Sequence, residues 1–173
     1  EIALERLSYL TLASKSKDNA ALLHRLMRTS YLKVKVSNDV IGIEYAATLK
    51  NVYALASGNA HGLSYGDNFQ SVLISNSTRE MNRFIKKVSN RKRNINHSAY
   101  LGDLLVTAYS LFSRNRRFGN MIGRGYTVKG AQLEMNMVAE GYYACESAYK
   151  MSKSLGVNTP IIDAIYGVLY LKK

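Results

Sequence analysis

Acidic side chains are scarce in this chain: 12 aspartates and glutamates stand against 24 lysines and arginines, a formal net charge of +12 over 173 residues. On charge alone the imbalance points to an anionic partner, which can be nucleic acid, a membrane surface or a small phosphate compound. Cysteine is nearly absent. Cys145 stands alone, which excludes an internal disulfide and suits a reducing compartment, so a cytoplasmic setting is expected. No run of about 18 apolar residues occurs, so no membrane-spanning helix is expected. The three histidines, His24, His61 and His97, lie far apart with no second ligand at helical spacing, and no metal site is expected from them. Cys145 lacks a recognisable base, and nothing marks a Ser-His-Asp triad. A G-x-G-x-x-G turn after a strand is also missing; GRGYTVKG at 123–130 has the glycines without the spacing. Opening on Glu1 rather than Met, the chain is expected to be a piece of a longer or processed product.

Two kinds of pattern are present. At 7–14 (LSYLTLAS) a short apolar run has strand length, 17–27 carries Ala20, Ala21, Leu23, Leu26 and Met27 at helical spacing, and 31–36 (YLKVKV) alternates apolar and basic residues. Strand, helix and strand make either a βαβ-type unit or an edge hairpin around a helix, and either needs a sheet to join. From Asn38 onward the periodicity is helical. Ser37 or Asn38 can cap a helix over 40–58 whose interior is apolar nearly all round, so it should be central and buried. Glu44 and Lys50 are the charged residues within it. Lys50 shares a stripe with Ile43, Ala47 and Ala54, so it either snorkels to the surface or reaches a polar cavity. Further helices are read at 69–88 and 132–155, with a last one opened by the single proline, Pro160, at its first turn. Asp67-Asn68 reads as a cap and turn. The stretch 119–130 reads as a glycine-rich connector, and 90–97 (NRKRNINH) as a basic polar loop.

The most informative stretch is 102–119, GDLLVTAYSLFSRNRRFG. Read as one helix, Asp103, Thr107, Ser110 and Arg114 follow at steps of four, three and four and share one narrow line. That polar stripe faces either solvent, as in an ordinary amphipathic helix, or a polar pocket.

GDL, then Thr four residues after the Asp, then SRNRRFG closely resembles the substrate-site signature of NAD(P)-dependent glycerol-3-phosphate dehydrogenases. DVIGIEYAATLKNVYALASG at 39–58, HGLSYGDN at 61–68 and VAEG at 138–141 resemble further segments of that family, so the likeness spans essentially the whole chain. Tyr100 departs from it, standing where the family usually has glycine. The resemblance implies a mainly α, multi-helix C-terminal domain of the 6-phosphogluconate-dehydrogenase-like type over 38–173. Residues 1–37 would be a short β-α-β remnant of a Rossmann-type nucleotide-binding domain. It further implies Lys50 as catalytic acid/base, and Asn51, Asp103, Thr107, Ser113, Arg114 and Asn115 beside it as substrate-binding residues. Arg114, Val138 and Glu140 would reach the cofactor, NAD or NADP, which the rest of the nucleotide-binding domain would mainly hold. The implied reaction interconverts sn-glycerol 3-phosphate and dihydroxyacetone phosphate, feeding phospholipid synthesis, in a protein whose partner is that small molecule, with a homodimer as the expected assembly. Isolated, the chain is expected to be inactive. If Arg114 closes the helix of the central motif, the phosphate sits near a negative helix end and the cation must outweigh it.

Two other readings remain. A basic helical module could bind nucleic acid through Arg91–Arg93 and Arg114–Arg117, although the tyrosines, including Tyr45, Tyr53, Tyr109 and Tyr166, fall on apolar helix faces and read as core rather than as a stacking platform. A β-hydroxyacid-type dehydrogenase would use the same two-domain plan on a carboxylate, and SRNRRFG argues against it.

Overall fold

The helix expected to be buried all round is enclosed over its second half, whereas Ile41, Glu44 and Thr48 give its first half one exposed edge; the other helices pack around it. The computed structural model describes residues 1–135 and 137–172. Its axis is α2, Val40–Gly62, which buries Ala46, Leu49, Val52, Tyr53, Ala54, Leu55, Ala56 and Ala60. Packed on it are α3 (Asp67–Val88), α4 (Asp103–Tyr109), α5 (Arg114–Gly123), α7 (Glu140–Leu155) and α8 (Pro160–Tyr170), together with the helical turn Ser98–Gly102, while α6 (Val128–Glu134) lies against α5. Met81, Phe84, Ile85, Leu104, Phe118 and Ile162 close the core around it. Among the described residues no helix is long and apolar enough to cross a membrane.

At the N-terminus β1 (Ser8–Ala13), α1 (Lys17–Met27) and β2 (Leu32–Ser37) form the βαβ alternative, not the hairpin. The strands are adjacent and parallel, with Ser8 opposite Leu32 and Ala13 opposite Ser37. Parallel neighbours require a crossover, and α1 is that crossover.

Several element boundaries differ from the sequence reading, each for a local reason. Asp39, one residue later than expected, caps α2: its carboxylate accepts from the Gly42 N–H at 3.2 Å. The helix runs to Gly62, with Gly58 against the α5 backbone at Arg116 and Asn120, Gly62 against Gly123, and Gly119 against α2, where a Cβ on Gly119 would lie 2.9 Å from the Leu55 carbonyl carbon and the Asn59 nitrogen. Only glycine allows two helix backbones so close. For the same reason 119–130 is no loop: it holds the end of α5 and the start of α6. Asp67 lies in the first turn of α3, where a carboxylate complements the helix dipole. The expected helix 132–155 is two helices. Met135 and Ala139 both leave helical geometry, while Asn136, within that expected span, and Lys173 lie outside the described residues.

The tyrosines are split in role. Tyr53 is fully buried, and Tyr142, Tyr170, Tyr166 and Tyr149 stack in a ladder across α7 and α8 with centroid spacings of 4.8, 4.9 and 3.8 Å. Tyr109 is exposed, contrary to its reading as core.

Candidate functional site

The expected single helix over 102–119 is broken in the middle, and the break builds the site. α4 ends when Ser110 turns extended (φ −63°, ψ 129°), and Ser113 then starts α5 by accepting the Arg116 N–H at 3.3 Å on its hydroxyl. Between them Leu111 and Phe112 are exposed, Phe112 by 95 %. Asp103, Thr107, Ser110 and Arg114 therefore do not share one helical line. Arg114 opens a helix instead of closing one, so the electrostatic objection to a phosphate beside it is reversed: guanidinium and helix N-terminus both favour an anion there. Two serines three apart around an apolar pair are the signal that could have revealed the break.

Lys50 projects from the middle of α2, and Asp103 begins α4 after a wide helical turn at Ser98–Gly102. Lys50 Nζ lies 2.6 Å from Asp103 Oδ2, with side chains 23 % and 38 % exposed. An ion pair that wet is worth about 1 kcal/mol or less to stability, so its importance is not as a staple. What it does is hold an ammonium in one place on a polar wall. Asp103 owes its own position to a deeper network. Tyr100 is buried and donates its hydroxyl to Asp39 Oδ2 at 2.6 Å, and Arg93 pairs with the same carboxylate at 2.8 and 3.2 Å. The Arg93 guanidinium holds the Asp39 carboxyl down at about 2, and burial with that hydrogen bond pushes the Tyr100 phenol up to about 12. The turn that delivers Asp103 is thus tied to the α2 cap.

A cleft of about 510 Å³ gathers Lys50, Asn51, Thr107, Ser113, Arg114 and Asn115, with Glu140 at its edge. Thr107 donates its hydroxyl to its own helix, to the Asp103 carbonyl at 2.7 Å, leaving the oxygen's lone pairs free. Asn115 is buried and spans three helices: its Nδ2 donates to Asn51 Oδ1 at 3.0 Å, and its Oδ1 accepts the Gly141 N–H at 2.8 Å. Its expected role as an amide donor is thereby narrowed to one remaining N–H. Arg114 Nη2 stands 3.6 Å from Glu140 Oε1, both well exposed at 43 % and 65 %. Val138 is not brought into this cleft; it lines a separate hollow with Phe118, Tyr142 and Tyr143. Residues unforeseen from the sequence are Ala47, Val106 and Phe112 on the walls, and Gly141, where a Cβ would lie 2.6 Å from the Asn51 carbonyl.

The basic runs of the nucleic-acid reading do not make one surface. Arg91 bonds the carbonyl of Asn38 at 3.1 Å and its side-chain oxygen, and Arg93 is spent on Asp39, whereas Arg114 faces Glu140.

Comparison with known proteins bears on the whole chain. The family described as NAD-dependent glycerol-3-phosphate dehydrogenase C-terminus matches residues 39–173. A glycerol-3-phosphate dehydrogenase [NAD(P)+] of Clostridium botulinum is 36 % identical over 173 residues, covering all of this chain and 52 % of that protein. One of an Exiguobacterium species is 38 % identical over 170 residues, covering 98 % and 50 %. The chain thus spans about half the length of the curated relatives it matches. The crystal structure of glycerol-3-phosphate dehydrogenase from Coxiella burnetii superposes with a TM-score of 0.95 at 27 % identity, over 99 % of this chain and 53 % of that one. The structure of the Saccharomyces cerevisiae enzyme gives 0.89 at 25 % identity.

Proposed function

The chain belongs to the NAD-dependent glycerol-3-phosphate dehydrogenase C-terminal family, and from that premise we propose that it is the substrate-binding part of an enzyme interconverting sn-glycerol 3-phosphate and dihydroxyacetone phosphate. Residues 38–173 form the substrate domain, and 1–37 are the end of a nucleotide-binding domain. The working enzyme is cytoplasmic, uses NAD or NADP, acts as a homodimer and feeds phospholipid synthesis. The single observation that carries the reading is Lys50, held by Asp103 at 2.6 Å from behind the lining, on the wall of the cleft that also holds Arg114 and Ser113.

The chemistry follows from those groups. Reduction of the ketone leaves an alkoxide at C2 that needs a proton, and the Lys50 ammonium supplies it; oxidation runs the transfer backwards, with neutral Lys50 accepting the proton from the hydroxyl. Asp103 accepts a hydrogen bond from Lys50 and keeps Nζ aimed. The phosphate is held at the start of α5 by the fork of Arg114, backed by the N-terminal amides of that helix. Asn115, tied to Asn51 and the Gly141 amide, sets the distance between the α2 wall and the phosphate end. The exposed Arg114 and Glu140 fit a cofactor approaching from the open side of the cleft, whereas Val138 lies in another hollow. The nicotinamide supplies or accepts the hydride at C2 when bound.

The test is Lys50→Met in the full-length enzyme, followed at the reduced-nicotinamide absorbance. Loss of a proton donor lowers kcat by about 10²–10⁴ with the fold retained. A well-folded variant with near-normal kcat ends the assignment.

A further inference from the structure

A hollow larger than the Lys50 cleft lies elsewhere, between the βαβ unit and the start of α2, and it is strongly basic. It measures about 890 Å³ and is lined by Lys17, His24 and Lys35 from one side and by Arg91, Lys92 and His97 from the other. One carboxylate, Asp39, lies on its described wall, and that group is already neutralised by Arg93 and bonded by Tyr100. Among the described residues Lys17, Lys35 and Lys92 have no ion-pair partner. Like charges gathered around one hollow raise its positive potential and favour an anion there. The hollow is separate from the Lys50 cleft: Asp39 caps α2, and Lys50 follows eleven residues later, about 16 Å along the axis.

We propose that this hollow binds a small anion carrying two or three linked phosphate groups, clamped between Lys17 and Lys35 of the βαβ unit and Lys92 of the loop after α3. A single phosphate would leave most of these cations unmet, because they come from three separate segments around a volume typical of a whole ligand. A concave site between two units also disfavours a nucleic-acid duplex, which needs an open basic surface. Arg91, already clasped to Asn38, gives the hollow a fixed charge, while the three unpaired lysines are free to close on the ligand. Its occupation would tie the βαβ unit to the helical bundle.

The experiment titrates the chain with tripolyphosphate and with ATP at an ionic strength of about 0.1 M, by calorimetry and by NMR of the histidine ring signals. Saturable binding is expected, with shifts of His24 and His97 and none of His61. Equal affinity for both probes assigns the site to the phosphate chain, and tighter ATP adds a nucleoside to it. The double variant Lys35→Gln/Lys92→Gln should weaken binding at least ten-fold. The charge-matched control Lys86→Gln/Lys87→Gln, on exposed α3 positions, should change it less than two-fold. Equal losses from both doubles, unshifted His24 and His97, or no saturable binding would overturn the proposal. So would tighter binding of a single-stranded oligonucleotide than of either probe.

Discussion

Replacing Gly119 by alanine tests whether the α2–α5 contact sets the geometry of the cleft. By helix propensity alone the change should stabilise the protein by about 1 kcal/mol. The structure predicts the opposite sign. An added Cβ would press on the Leu55 carbonyl oxygen and lie 2.9 Å from both the Leu55 carbonyl carbon and the Asn59 nitrogen, where ordinary carbon contacts are about 3.5–4.0 Å. Both obstacles are helix backbone, so no side chain can rotate away, and the helices must separate by about 1 Å. Overpacking in a core costs about 1–3 kcal/mol when side chains can adjust. Against rigid backbone the cost reaches the top of that range or beyond, leaving a net loss of about 2 kcal/mol after the propensity gain. For a chain of this size that lowers Tm by roughly 4–8 °C. Thermal and urea unfolding followed by circular dichroism measure it. Gly102→Ala is the control, since its nearest neighbour is a side-chain carbon at an ordinary 3.4 Å and its backbone is already helical; it should be neutral or slightly stabilising. If Gly119→Ala matches Gly102→Ala, the close approach of the two backbones does not constrain the protein and the argument fails. In the full-length enzyme Gly119→Ala should also raise KM, because α5 carries Ser113, Arg114 and Asn115 at its other end.

Acid should expose the Asp39 network. With its carboxyl held at about 2 against an ordinary 3.8, Asp39 contributes about 2 kcal/mol that is fully present above pH ~4 and is lost as pH falls toward 2. Asp39→Asn should remove that portion of the stability–pH slope and destabilise the chain at neutral pH by leaving Arg93 buried without its partner; an unchanged acid limb by urea titration would refute this. Arg114→Lys in the full-length enzyme should raise KM for the phosphate substrate about ten-fold or more, since an ammonium cannot reproduce the fork. Arg91→Lys, bonded to Asn38 outside that cleft, should stay within about two-fold in steady-state assays, and equal effects would sink the phosphate assignment. The chain by itself, spanning about half of its relatives' length, should give no absorbance change with glycerol 3-phosphate and NAD or NADP. Sustained turnover would contradict the division of labour proposed for it.

The sequence by itself determined the broad outline: a strand–helix–strand start, then helices around an apolar axis, because period and apolar content report directly which faces must leave water. Through the family resemblance of GDL, Lys-Asn and SRNRRFG it also pointed to Lys50, Asn51, Thr107, Ser113, Arg114 and Asn115, which the fold gathers in one cleft, whereas Val138 lies in another hollow. Direction and partnership were decided only by the tertiary structure. Asp103 to Arg114 reads equally well as one helix or two, and what breaks it is the requirement that Leu104 and Ala108 pack inward while Gly119 meets the α2 backbone. That break turns Arg114 from a helix end into a helix start and reverses the sign of the field around it. Glycines at 119 and 123 look like loop residues in sequence and are helix-contact residues in space, because missing side chains serve both purposes. Tyr100, Asp39 and Arg93 are spread over 62 positions of the chain, and no local pattern could announce that one carboxylate joins them. Long-range electrostatic and steric agreements of this kind exist only between elements, so they become visible only once the elements meet.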